Sequence, residues 1–148
     1  MKKSLFTILL GFGVVFGFTQ NHHTPPKNVS QSFQKEYPQS KPSQWNQSNG
    51  GWSVSFKDND HNNGEATAYF DASGKYEETH IPYDKQDVPS TVKNHVQSSY
   101  GASDKYDYTR IDNPDGKSVY KTQVKHKNQN KTIYLDNDGH EKDYQGRH

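Results

Sequence analysis

The 148-residue chain contains no cysteine, which excludes both a disulfide scaffold and thiol chemistry. Aliphatic and phenylalanine side chains are scarce: residues 20–148 hold only 14 Leu, Ile, Val and Phe, about 11% of that stretch. The formal net charge is only +1, so the chain has neither the charge excess of disordered proteins nor the basic surplus of nucleic-acid binders. Its apolar runs are too short for a membrane-spanning helix.

Aromatic residues supply much of the apolar area that is otherwise missing. All ten Tyr and both Trp lie downstream of residue 19, and each such side chain buries roughly 150–250 Å² when it enters a core. The length suits one domain. The composition therefore predicts a small, tyrosine-rich domain that folds by packing alone.

The N-terminal segment has the features of a secretory signal peptide. Lys2 and Lys3 precede an apolar run from Leu5 to Phe18, about 21 Å long as a helix and too short for a hydrocarbon core of roughly 30 Å. Small residues at its end favour cleavage before Gln20. We expect a signal peptide over 1–19, a linker over 20–27, and export to the periplasm or the extracellular space. No membrane attachment is expected after cleavage.

Two predicted helices share one apolar stripe. Val29, Phe33 and Tyr37 recur every four residues before Pro38, and Val92, Val96 and Tyr100 repeat this pattern 63 residues later, before Gly101. This spacing is typical of one buried helix face. Asp87 is expected to cap the second helix, with Pro89 in its first turn.

The segments after each helix also match. Trp52–Phe56 and Tyr120–Val124 alternate apolar and polar residues, as half-buried strands do. Ala66–Lys75 parallels Lys131–His140 at an offset of 65, and in both a strand ends in Asp, two small or polar residues and Gly, which is typical of a tight hairpin. The sequence thus predicts a two-layer α+β fold, built as a tandem duplication of a helix plus an antiparallel sheet of four strands.

These residues resemble the β-lactamase-inhibitor-like, PepSY-like domain family of secreted bacterial proteins. The resemblance covers roughly Val29 to Tyr144, and its motifs are Phe33–Pro38, Gly51–Phe56, Ala66–Lys75 with Thr79 and Ile81, and Val88-Pro89-x-x-Val92. The chain departs from the family at Val88 and at Thr122, where larger or aliphatic residues are usual. The resemblance implies a domain over 28–148, with one copy at about 28–86 and a second at about 87–146, and no known enzymatic chemistry.

No residue pattern predicts catalysis. The serines lack the Gly-x-Ser-x-Gly context of a nucleophile, and the adjacent Glu77 and Glu78 would point to opposite faces of a strand. We therefore expect no enzyme and no cofactor.

Metal-binding patterns are incomplete. Asp58–Glu65 has oxygen ligands at positions 1, 3 and 5 of a calcium loop but lacks the glycine and the bidentate glutamate, so a polar hairpin loop is the preferred interpretation. Asp136–Gly139 is interpreted as a hairpin turn. His22, third after cleavage before Gln20, would suit a square-planar copper site. A metal or small-ligand carrier therefore stays an alternative function, with no metal site assigned.

Strand alternation also predicts a polar sheet face that carries tyrosines. If Trp52, Val54 and Phe56 face the helices, their neighbours face away. The residues chosen as candidate partner-binding positions are Tyr69, Tyr134, Lys121, Gln123 and Lys125. We predict a non-catalytic binding domain whose partner is a protein or peptide rather than a nucleic acid. An inhibitor role is a further alternative.

Overall fold

The computed structural model describes residues 23–48, 50–58, 64–101, 106–126 and 129–146, with backbone only at Ser48, Lys125 and His126. The expected signal peptide, the first residues of the linker and His22 lie outside these ranges. The same holds for residues 59–63 of the loop weighed as a calcium site.

The described chain forms two helices and seven strands. Their order is α1 (Lys27–Glu36), β1 (Pro42–Ser48), β2 (Gly51–Lys57), β3 (Glu65–Asp71), β4 (Tyr76–Tyr83), α2 (Ser90–Tyr100), β5 (Tyr108–Asp112), β6 (Ser118–His126) and β7 (Gln129–Leu135). Neither of these two helices is long and apolar enough to cross a membrane.

All seven strands form one antiparallel sheet in which each strand pairs with its neighbours in sequence. Both helices pack on the same side of this sheet. The strand residues that pack against α1 and those that pack against α2 lie on one face, as the strand register shows. The α+β class and the predicted two-layer arrangement are confirmed.

The first half of the core lies beneath α1. Val29 and Phe33 are fully buried on this helix, as the four-residue spacing predicts, and they pack against the inward side chains of β2 and β3. The Phe33 ring meets Phe56 and Trp45 edge-on, at centroid distances of 5.2 and 5.7 Å. Aromatic rings thus fill the volume that the scarce aliphatic residues leave.

The second half of the core lies beneath α2. Val92 and Val96 are fully buried and pack with Tyr120, Ile133 and Leu135. Thr122 is also buried in this half, and its hydroxyl oxygen has no hydrogen-bond partner among the described residues.

The expected cap of α2 is wrong. The N-cap position is occupied by Pro89, and the helix begins at Ser90 without a side-chain cap. Asp87 lies in the preceding turn, where its backbone N–H donates to the carbonyl of Asp84 at 2.9 Å. The N-cap position is therefore two residues later than expected.

The second half also differs from the expected four strands. After β7 the chain makes only an isolated bridge, from Glu141 back to Leu135. The chain then leaves the edge of the sheet, and Tyr144 contacts β4 and β7 through its side chain. A fourth strand therefore does not form in this half of the described chain.

Candidate interaction surface

The sheet face that points away from the helices, called here the outward face, is defined by strand register. On this face Ser53 of β2 pairs with Tyr69 of β3, and Tyr69 pairs with Glu78 of β4. His80 pairs with Ile111, and Ile111 with Val119. Farther across the sheet, Lys121 pairs with Tyr134, and Gln123 with Thr132.

The five predicted positions share the outward face but do not form one cluster. Tyr69 lies on β3 and Tyr134 on β7, which places them four strand spacings apart, about 19 Å. Lys121 and Gln123 lie on β6, beside Tyr134. Lys125 pairs with Asn130 through the backbone, and its side chain lies outside the described part of the chain.

Three residues outside the predicted partner-binding set connect these tyrosines. Tyr69 stacks against His80 with ring centroids 4.8 Å apart. His80 Nε2 lies 2.8 Å from Glu78 Oε1, and the hydroxyl of Tyr144 donates to Glu78 Oε2. The Tyr144 ring lies 4.9 Å from that of Tyr134. Side chains from β3, β4, β7 and the C-terminal segment thus form one continuous line across the outward face.

The carboxylate in the middle of this line is shielded from water, and the four rings around it are half-buried. Glu78 is only 4% exposed. Burial, followed by the hydrogen bond to Glu78, raises the pKa of Tyr144 well above its usual range. Burial and then the nearby Glu78 charge also raise the pKa of Tyr134. Both phenols therefore stay protonated at neutral pH, and Tyr144 acts as a hydrogen-bond donor.

The outward face also contains apolar side chains near its centre. Ile111 and Val119 are paired in register there and are 1% and 9% exposed. In contrast, Gln123 and Thr132 are exposed. The face therefore combines a buried apolar centre, an aromatic and carboxylate line, and an exposed polar margin.

Part of this arrangement had a sequence signal. Glu77 and Glu78 are predicted to lie on one strand, and strict alternation along it places Glu78 and His80 on the same face. Tyr144 had no such signal, because it follows the last strand and has no periodic neighbours. Its contact with Glu78 spans 66 positions along the chain.

One cluster of possible metal ligands occurs in the described residues, at Asp136, Asp138 and His140. Asp136 Oδ1 accepts backbone N–H bonds from residues 138 and 140, at 3.0 and 2.9 Å. Its Oδ2 lies 3.0 Å from the ammonium of Lys142. Backbone donors and a lysine thus already surround this carboxylate, in the manner of a hairpin turn.

A cleft of about 600 Å³ lies between the end of α1 and two turns. Lys35, Tyr37, Tyr76 and Asn113 are among its lining residues. Tyr37 and Tyr76 also hydrogen-bond the buried hydroxyl of Thr79, at 2.5 and 3.1 Å. Two of the polar side chains that line the cleft are therefore held by hydrogen bonds to the core.

The fold is shared with solved structures from Bacteroides species. A DUF2874 family protein from Bacteroides ovatus has a TM-score of 0.69 and 22% identity, over 80% of this chain and 85% of that chain. A candidate periplasmic protein from Bacteroides eggerthii has a TM-score of 0.69 and 18% identity, over 84% and 90% of the two chains. A BLIP-like protein from Bacteroides fragilis has a TM-score of 0.67 and 18% identity, over 82% and 88%.

These likenesses show a BLIP-like fold, in agreement with the inhibitor-like part of the sequence resemblance. No protein-family model matches the chain, and no curated protein matches it in sequence. The neighbours named above are described as BLIP-like, as DUF2874 or as periplasmic, and none of these descriptions is that of an enzyme.

Proposed function

We propose that the chain is an exported, non-catalytic, PepSY-like binding domain that holds a protein or peptide partner on its outward face. The observation that carries this proposal is the line of side chains from Tyr69 through His80, Glu78 and Tyr144 to Tyr134. Lys121 and Gln123 beside Tyr134, with Lys125 farther along β6, would supply polar contacts at the margin.

The chemistry of this line suits a protein partner. Tyrosine provides a large contact area with few rotatable bonds, and aromatic residues are enriched at the centres of protein interfaces. The exposed polar margin suits the rim of such an interface, where hydrogen bonds form in the presence of water. The BLIP-like fold adds an analogy, because the fold is named for a protein inhibitor.

Position-specific photo-crosslinking tests the proposal. A benzoylphenylalanine at Gln123 reports on the outward face, and the same residue at Gln31, which is exposed on α1, is the matched control. In host envelopes we expect a discrete crosslinked product from position 123 that is absent from position 31. The Tyr69→Ala/Tyr134→Ala double variant should weaken that product at least tenfold.

The folded state of each variant must be checked, because Tyr134 also packs against Tyr144. Circular dichroism and the thermal midpoint provide this check. Equal products from both faces, or an unchanged product in a folded double variant, would contradict the outward-face proposal.

A small-ligand carrier is the second candidate, and the cleft beside α1 is the observation that favours it. Fragment screening by NMR would test it, with chemical-shift changes expected at Lys35 and Lys75. Titration of Ca²⁺ and Cu²⁺ tests the metal version. Shift changes confined to the outward face would remove this candidate.

We also infer that the fold arose by tandem duplication. In the first half Asn28 Nδ2 donates to the carbonyl of Ser73 at 2.7 Å, and in the second half Thr91 Oγ1 donates to the carbonyl of Asn137 at 2.5 Å. Each bond joins the start of a helix to a turn. The two donor residues lie 63 positions apart in the chain, and the two acceptor residues lie 64 apart.

The periplasmic description of one neighbour supports export, and N-terminal sequencing of the secreted protein would test the predicted cleavage before Gln20.

A further inference from the structure

The two edges of the sheet are protected to very different degrees. A seven-stranded open sheet has two edge strands, here β1 and β7. Each edge presents backbone N–H and C=O groups that another strand is able to pair with, and natural proteins usually block such edges with charges or covering segments. The sequence and surroundings of the two edges therefore indicate which one is available.

The β7 edge is covered and charged. Glu141 bridges back to Leu135, and the backbone N–H of Lys142 donates to the carbonyl of Tyr134 at 2.8 Å. Lys131 on this strand pairs with Glu141 at 3.3 Å. A second strand approaching β7 would have to displace the C-terminal segment of the chain.

The β1 edge has no comparable protection in the described chain. Its described strand partner is β2 alone. The sequence from Pro42 to Phe56, which forms β1, its turn and most of β2, contains no charged residue. Pro42 and the bulge at Ser43 interrupt only the start of the strand, so Gln44–Ser48 remain able to pair.

We propose that the β1 edge is a dimer interface, in which β1 pairs antiparallel with β1 of a second copy of this chain. Antiparallel pairing of identical strands is two-fold symmetric, so every contact is made twice and the assembly closes at two copies. The continuous sheet would then have 14 strands. This inference concerns an edge of the sheet and does not depend on the partner proposed for the outward face.

Charge and aromatic packing favour a second copy over a foreign strand. Like charges directly opposite each other destabilise a strand pair, and two neutral β1 strands bring none together. Trp45 is half-buried beside Phe33, and a two-fold axis near it would bring two Trp45 rings close to each other. The rest of the strand supplies neutral amide and hydroxyl groups, which hydrogen-bond equally well to a copy of themselves.

Sedimentation velocity of the processed chain over a wide concentration range tests this proposal. We expect a monomer at low concentration and a dimer at high concentration. The Gln44→Lys/Asn46→Lys variant places four ammonium groups along the symmetric junction and should weaken association at least tenfold. Asn130→Lys, an exposed change on the opposite edge, is the matched control and should leave association unchanged.

Disulfide trapping gives a second, independent readout, because the chain has no cysteine of its own. The Gln44→Cys/Asn46→Cys double variant should give covalent dimers under mild oxidation, because residue 44 of one copy lies opposite residue 46 of the other when the two-fold axis is near Trp45. Asn130→Cys should not. A folded protein that stays monomeric at all concentrations overturns the proposal. A dimer that Gln44→Lys/Asn46→Lys does not weaken, and that the Gln44→Cys/Asn46→Cys variant does not trap, also overturns it.

Hydrogen exchange tests the other possible occupant of the β1 edge, which is a segment of the same chain. A monomer with slowly exchanging amides at Trp45 and Gln47 would show that N-terminal residues of the same chain cover the β1 edge, which also contradicts the dimer.

Discussion

The hydroxyl of Tyr144 donates a hydrogen bond to the carboxylate of Glu78, and this contact joins the C-terminal segment to the middle of the sheet. Glu78 is 4% exposed and also interacts with His80. A buried carboxylate is costly without donors, so Tyr144 contributes to the stability of the outward face as well as to its shape. A partner that docks on this face would contact Tyr144 or displace it.

Replacement of Tyr144 by Phe tests this contact. The ring and its packing against Tyr134 remain, but Glu78 loses a donor, so we expect the free energy of unfolding to fall by about 1–2 kcal/mol. Urea denaturation measures the change. Tyr134→Phe, which alters the other ring of the stacked pair, is the control and should change stability by no more than about 0.5 kcal/mol. Equal effects of the two substitutions would contradict the assigned role of Tyr144.

Two buried threonines should respond in opposite directions to replacement by valine. Thr122 Oγ1 has no described partner, so Thr122→Val should stabilise the protein by about 1 kcal/mol. Thr79 Oγ1 is bonded to the hydroxyls of Tyr37 and Tyr76, so Thr79→Val should destabilise it by about 1–3 kcal/mol. Thermal or urea unfolding of both variants provides the comparison, and a loss of stability in Thr122→Val would show an unrecognised partner.

The turn at Gly139 should tolerate alanine less well than the turn at Gly116. Both glycines have positive φ, +83° and +76°, so alanine costs about 1 kcal/mol at either position. At Gly139 a Cβ would also lie 2.7 Å from the carbonyl oxygen of Thr91, whereas at Gly116 nothing lies within 4 Å. We expect Gly139→Ala to cost about 1–3 kcal/mol more than Gly116→Ala, as measured by urea unfolding. Equal costs would show that the close approach to α2 is not rigid.

Turn aspartates should make the protein less stable in acid. Burial alone would raise the pKa of Asp136, but the backbone N–H of His140 and the Lys142 ammonium outweigh it and lower the pKa to about 2. Hydrogen bonds from Ser73 and Lys75 likewise lower the pKa of Asp71. A carboxyl group whose pKa is lower in the folded than in the unfolded protein stabilises the fold at pH values above its unfolded pKa. This contribution is therefore present above about pH 4 and is lost as the pH falls towards 2.

Urea unfolding between pH 5 and pH 2 measures this effect. The Asp136→Asn variant removes one titrating group and should show a shallower loss of stability over the same range. An identical slope in wild type and variant would mean that Asp136 has the same pKa in the folded and unfolded states.

The helices and most strands were predictable because their signals are local. The stripes at Val29 and Val92 are visible within a few residues, and the burial of both confirms them. The alternation in Trp52–Phe56 and in Tyr120–Val124 identifies strands in the same way. The start of α2 was not predictable from Asp87, because the helix begins at Ser90 with Pro89 at the N-cap position.

The candidate site was predictable only in outline. Alternation placed Tyr69 and Tyr134 on the outward face, but it carried no information about their separation across four strands. The isolated bridge at Glu141, in place of a fourth strand, likewise depends on where the C-terminal segment packs.

The sequence by itself determined the α+β class, the buried stripes and the hairpin turns, because each depends on the periodicity or turn chemistry of neighbouring residues. Tertiary structure alone decided how Glu78, His80 and Tyr144 meet and which sheet edge is covered. These features require contacts between residues dozens of positions apart, and their free energy comes from burial and pairing that exist only after the sheet has formed. The scarcity of aliphatic residues is resolved there too, because aromatic rings from separate strands complete the core.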